Sequence, residues 1–123
     1  MTDEKEIAVV VPQKGLMYLM LEDSAENWKF PSQEINGEEP PEKVAIEGLK
    51  EDTSLEGEVV ERAQPFVSED EGLKIYPFLV EVKGEVELSG KFSDYAWAQV
   101  PGLKTLDTAR GLKSLEELGE IDD

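Results

Sequence analysis

Residues 41–55 read PEKVAIEGLKEDTSL, and the fold follows from how this stretch is arranged. Pro41 suits the first turn of a helix, where its missing N–H costs nothing and its ring already holds a helical φ. Glu38, Glu39 and Glu42 put negative charge at the same end, where the helix dipole is positive. Beyond them Val44, Ala45, Leu49 and, more loosely, Gly48 fall on one side at helical spacing. Glu47 and Glu51, at i and i+4, share the other side, with Asp52 next to it. The spacing predicts a helix over residues 41–53 with one packing face and one acidic face.

Strand signals flank this helix on both sides. Upstream, EIAVVVP (6–12) and LMYLMLE (16–22) are apolar runs joined by the turn residues Gln13, Lys14 and Gly15, which predicts a hairpin. A polar stretch over 23–27 leads to the aromatic segment Trp28–Pro31, and a loop through Asn36, Gly37 and Pro40 leads into the helix. Downstream, residues 58–68 and 73–82 are predicted as two longer strands joined by an acidic turn over 69–72. A short strand at 84–88, a loop at 90–94, a last strand at 95–100 and a terminal helix over about 114–118 complete the pattern. Strands on both sides of one helix, in 123 residues with no repeat or linker, indicate a single α+β domain spanning 1–123.

The chain has neither cysteine nor histidine. That removes disulfides, thiolate chemistry, imidazole ligands and Ser-His or Cys-His nucleophilic systems, leaving carboxylates, Lys, Tyr or a bound cation to do any catalysis. With 29 acidic residues against 12 basic ones the formal charge is -17, which repels the phosphate backbone of long nucleic acid. A small phosphorylated ligand is less penalised, since a divalent cation can bridge its phosphates to carboxylates. A basic protein is the other partner this charge suits. No run reaches the ~20 apolar residues of a membrane helix. The opening MTDEKE lacks the apolar core of a signal peptide, so a cytoplasmic protein without membrane contact is expected.

The order of strand, strand, Trp-x-Phe-Pro, loop, acidic helix, hairpin, Tyr-x-Trp strand and terminal helix resembles the Nudix hydrolases over roughly residues 6–118. Their signature is G-x5-E-x7-R-E-U-x-E-E-x-G-U, with U a bulky aliphatic residue, usually after a Leu-Pro-Gly segment. AIEGLKEDTSL (45–55) lies on its second half: Leu49, Glu51, Thr53 and Leu55 match common choices and Asp52 is a conservative change. The resemblance implies a Nudix-like α/β/α sandwich, a mixed β-sheet with the signature helix at about 41–53 and a C-terminal helix. It also implies a chemistry in which water attacks a nucleoside-diphosphate derivative at phosphorus while Mg²⁺ or Mn²⁺, held by carboxylates, neutralises the charge.

The same resemblance marks what is missing. Glu47 stands where the family has arginine, Gly48 where it has the first acid of the helical metal cluster, and Pro31, Ser32 and Gln33 where it has Pro-Gly-Gly. The upstream glutamate of the signature falls on Glu39 counted from the helix, or on Glu38 with one residue inserted, and would face Glu47 instead of an arginine. By count, Lys91 takes the place of a further metal-binding glutamate in the loop before the Tyr-x-Trp strand.

These departures imply that efficient hydrolysis is lost and that the domain binds a nucleotide or another phosphorylated small molecule. Two other readings stay open: a metal-dependent hydrolase with a rearranged site, and an acidic protein-interaction domain. Glu47, Glu51 and Asp52 are the candidates to hold one Mg²⁺ or Mn²⁺ weakly, the alternative being a solvated acidic face. Trp28, Phe30, Glu38 and Glu39 are the ligand-binding candidates, the two aromatics to stack on a flat ligand with core packing as the alternative, and the two acids from the adjoining loop. Tyr95 and Trp97, two apart on one strand, are expected in the core.

Overall fold

A computed structural model of the chain describes residues 5–23, 28–68, 72–90 and 92–99, together with Leu118. Among these residues are eight strands and one helix: β1 (Lys5–Lys14), β2 (Met17–Asp23), β3 (Trp28–Lys29), β4 (Ser32–Ile35), α1 (Pro41–Thr53), β5 (Glu56–Arg62), β6 (Phe66–Ser68), β7 (Leu73–Lys83) and β8 (Phe92–Ala98). They build one mixed sheet in the order β3-β2-β1-β7-β5, with β4 against β1, β6 against β7 and β8 against β2.

The apolar run of β1 explains its central place. Ala8, Val9, Val10 and Val11 are all buried, as they must be in a strand covered on both faces. Successive side chains alternate between faces, so Ala8 and Val10 join the cluster under α1, while Val9 and Val11 join the opposite one. On one side β1 runs parallel to β7, from Lys5 opposite Leu73 to Gln13 opposite Glu81. On the other side it is shared: Gln13 and Lys14 pair with Tyr18 and Met17 of β2, while Glu6 to Val9 pair with β4.

The helix spans the predicted residues and packs Ala45 and Leu49 against Leu19, Leu21, Phe78 and Val80. Its approach to β5 requires a residue without a side chain at Gly57, where a Cβ would lie 2.5 Å from Val80 Cγ1 and 3.1 Å from Leu49 Cδ2. Ser54 ends the helix in the left-handed region at φ 64, donating its N–H to the Lys50 carbonyl. The other face of the sheet carries Met20, Phe30, Ile75, Leu79 and Leu118.

Four local expectations are corrected. Ser32–Ile35 is a strand rather than loop, because its backbone pairs with β1. The predicted strand over 58–68 starts at Glu56 and breaks between Arg62 and Phe66, a gap that holds Pro65, which has no N–H for a ladder. Residues 84–88 form no strand: the Glu87 and Ser89 N–H groups instead donate to the Thr53 and Asp52 carbonyls at the end of α1. The last strand covers Phe92–Ala98, paired with β2, rather than 95–100. The predicted terminal helix lies outside the described residues except for Leu118, which is buried. Among the described residues no helix is long and apolar enough to cross a membrane.

Candidate functional site

The acids of α1 point in two directions. Glu47 and Glu51 are exposed, and Glu47 makes a loose i,i+4 ion pair with Lys43 at 3.9 Å. Asp52 is 1% exposed and belongs to the packing stripe with Ala45, Gly48, Leu49 and Thr53. The expectation that Asp52 shares a solvent face with Glu47 and Glu51 is therefore corrected. It lies i+4 from Gly48 and i+3 from Leu49, whereas a step from Glu51 to Asp52 turns about 100° around the helix. Helical spacing alone therefore places Asp52 on the packing stripe, acid or not.

What receives Asp52 is Gln33, whose Nε2 donates to Oδ2 at 2.5 Å. Gln33 sits opposite Ala8 in the β4–β1 ladder and so faces α1. Its side chain crosses the helix at Gly48, where a Cβ would lie 2.0 Å from Gln33 Cγ and 2.4 Å from Cδ. One turn on, Thr53 Oγ1 donates to the Leu49 carbonyl at 2.7 Å, and the Asp52 and Thr53 carbonyls are held by residues 87 and 89. This end of α1 is thus fixed by side-chain and backbone hydrogen bonds together.

Glu38 and Glu39 are exposed in the turn before α1. Among the described residues no three acidic side chains gather in a way that could hold a metal ion. A divalent cation of the kind the resemblance implies needs several oxygens converging on one point. The described residues instead turn one carboxylate inward onto an amide and two outward to water. Lys91 lies outside the described residues.

Trp28 and Phe30 follow the core-packing alternative, and Tyr95 departs from expectation. Phe30 is buried among Val9, Val11 and Met20, and the half-buried Trp28 packs against the same cluster, so both serve the core face away from α1. Tyr95, expected in the core, is 40% exposed, while Trp97 packs at the margin of the cluster under α1. The two line a recess of about 300 Å³ with Lys14, Gly84, Glu85 and Val86. The recess thus brings two aromatic residues together with one basic and one acidic side chain, Lys14 and Glu85.

A second recess of about 370 Å³ opens beside Pro40 and Pro41, with Tyr76 and Phe78 in its wall. Arg62 and Glu42, 3.9 Å apart, also line it. The Tyr76 hydroxyl donates to Glu6 Oε2, and that bond holds its pKa above the usual tyrosine value. Burial pushes it in the same direction, while Lys74, 5.4 Å from the ring centroid, acts against both.

No protein-family model matches the sequence, and no curated protein matches it by sequence comparison. Solved structures do match. A Nudix hydrolase from Nitrosomonas europaea superposes with a TM-score of 0.82 at 10% identity, covering 94% of this chain and 70% of its own. An ADP-ribose pyrophosphatase from Streptococcus suis gives 0.76 at 13% identity, covering 98% and 95%. An Ap4A hydrolase from C. elegans gives 0.74 at 19% identity, covering 93% and 96%. At such identities likeness speaks for architecture, and the mixed sheet with α1 on one face has the fold of the Nudix hydrolases.

Proposed function

We propose that this chain is a Nudix-fold domain that binds a nucleotide or another phosphorylated small molecule and does not hydrolyse it efficiently. The observation that carries the proposal is the turning of Asp52 into the core onto Gln33 while Glu47 and Glu51 face solvent. Water attack on a diphosphate places negative charge on the phosphate oxygens and the nucleophile, and carboxylates pointing apart cannot share a cation that neutralises it. The recess of Lys14, Tyr95 and Trp97 supports the binding half, with rings for a base and an ammonium group for a phosphate. The nucleotide class is supported by two structural neighbours named for ADP-ribose and Ap4A. The cytoplasm is the compartment this reading assumes.

The test is product release from nucleoside triphosphates, nucleotide sugars, ADP-ribose and dinucleoside polyphosphates with Mg²⁺ or Mn²⁺, with Glu51→Ala as control. No turnover, together with saturable quenching of tryptophan fluorescence by one of these compounds, is the expected result. Turnover that vanishes in Glu51→Ala would overturn the proposal in favour of a hydrolase with a rearranged site. A second reading, contact with a basic protein, is favoured by the exposed acids Glu47 and Glu51 on α1 and Glu56, Glu58 and Glu61 on β5. It predicts a complex that weakens steeply with salt and no response to the nucleotide panel.

A further inference from the structure

We infer that Gln33 takes over the place of a divalent cation at the junction of β4 and α1. One neutral side chain does two jobs there. Its Cγ and Cδ fill the volume that a side chain at position 48 would need, with a Cβ brought to 2.0 and 2.4 Å of them. Its amide then gives the buried Asp52 carboxylate a positive hydrogen-bond end at 2.5 Å, as a cation would. The two departures from the Nudix pattern at positions 33 and 48 are therefore one coupled exchange, glycine to glutamine on the strand and acid to glycine on the helix.

The donor chemistry bears this out as a cation-free arrangement. The amide nitrogen turned toward Asp52 has hydrogens and no lone pair for a metal. A cation entering here would have to break the charge-assisted bond that the Gln33 amide makes to Asp52, a carboxylate only 1% exposed beside the buried Gly48. Glu51, on the exposed side, is not at hand to help. Any side chain added at 48 meets the same obstacle. The clash falls on the inner atoms of Gln33, not on a free tip, so Gln33 can yield only by swinging out and leaving Asp52. The inference goes beyond the proposed function and does not depend on it: whatever ligand the domain takes, its binding needs no cation at this junction.

Two measurements test it on the full chain. In thermal unfolding, Gly48→Ala lowers the midpoint in the wild-type background and does not lower it in a Gln33→Gly background, since the obstacle is gone. Equal losses in both backgrounds would overturn the coupling. In a Mn²⁺ titration followed by electron paramagnetic resonance, the wild type shows no saturable site that Asp52→Asn removes, a variant that keeps an acceptor for Gln33. Gln33→Gly/Gly48→Glu gains such a site and loses it when Asp52→Asn is added. A wild-type site lost in Asp52→Asn would overturn the inference even if no nucleotide is hydrolysed. Turnover lost in Glu51→Ala but kept in Asp52→Asn would instead overturn the proposed function and leave this inference standing.

Discussion

Replacing Gln33 by methionine isolates the polar half of its role. Methionine keeps nearly the same length and volume, so the space over Gly48 stays filled, but the donor to Asp52 is gone. Asp52 is 1% exposed and Gln33 half-buried, so the bond is partly shielded from water. A hydrogen bond to a charged group contributes about 1.5–3 kcal/mol. For a domain of this length that is a fall in the unfolding midpoint of about 5–12 °C. Urea unfolding followed by the fluorescence of Trp28 and Trp97 reads the same quantity, with a lower midpoint at an unchanged slope. Glu34→Met, on the same strand but exposed, serves as control and stays within about 0.5 kcal/mol of wild type. Gln33→Ala should cost more than Gln33→Met, because it also empties the space beside Gly48. If Gln33→Met matched the control, the amide would not be holding Asp52 and the reasoning about this junction would fail.

Three further outcomes follow from the same coordinates. Gly57→Ala forces a Cβ to 2.5 Å of Val80 Cγ1, a buried and rotationally stiff side chain, and should destabilise by about 1–3 kcal/mol in urea unfolding; a neutral result would mean that β5 can move off the helix. The raised pKa of Tyr76 means that the folded state holds this proton more tightly than the unfolded chain, so the associated stability is complete below the ordinary value of 10.0 and is lost as pH rises through the folded value. Ultraviolet titration should show the Tyr76 transition moving earlier in Glu6→Gln, and identical curves would remove Glu6 as the cause. Tyr95→Ala should weaken binding of the proposed nucleotide ligand roughly tenfold, in keeping with ~1–3 kcal/mol for stacking one base, and unchanged affinity would move the ligand out of that recess.

The parts of the fold that carry their own signal could be read directly. Pro41 and the apolar period marked the limits of α1, and the apolar run over 6–12 marked a strand, which the structure buries on both faces. Segments whose structure comes from a partner could not be read in the same way. Ser32–Ile35 is polar and follows a proline, and it is a strand only because β1 has an edge to pair with beyond β2. Residues 84–88 alternate apolar and acidic like a strand, yet the Glu87 N–H, with that of the following Ser89, is drawn to the open carbonyls at the end of α1. Tyr95 and Trp97 share a strand face, but cover from other elements decides which is exposed, and that is a property of the assembled fold.

The candidate site shows the same division at the level of single residues. Read one at a time against the Nudix pattern that the sequence resembles, Gln33 and Gly48 are two separate departures. Assembled, they are a large side chain and the space made for it, with Asp52 keeping its carboxylate because an amide has come to meet it. At the helix end Gln33 fills the space at Gly48, Asp52 accepts its hydrogen bond through Oδ2, and residues 87 and 89 donate to the terminal carbonyls. One segment joins this helix end to the Tyr95 recess: Glu87 and Ser89 donate to the terminal carbonyls of α1, and Gly84, Glu85 and Val86 just before them line the recess.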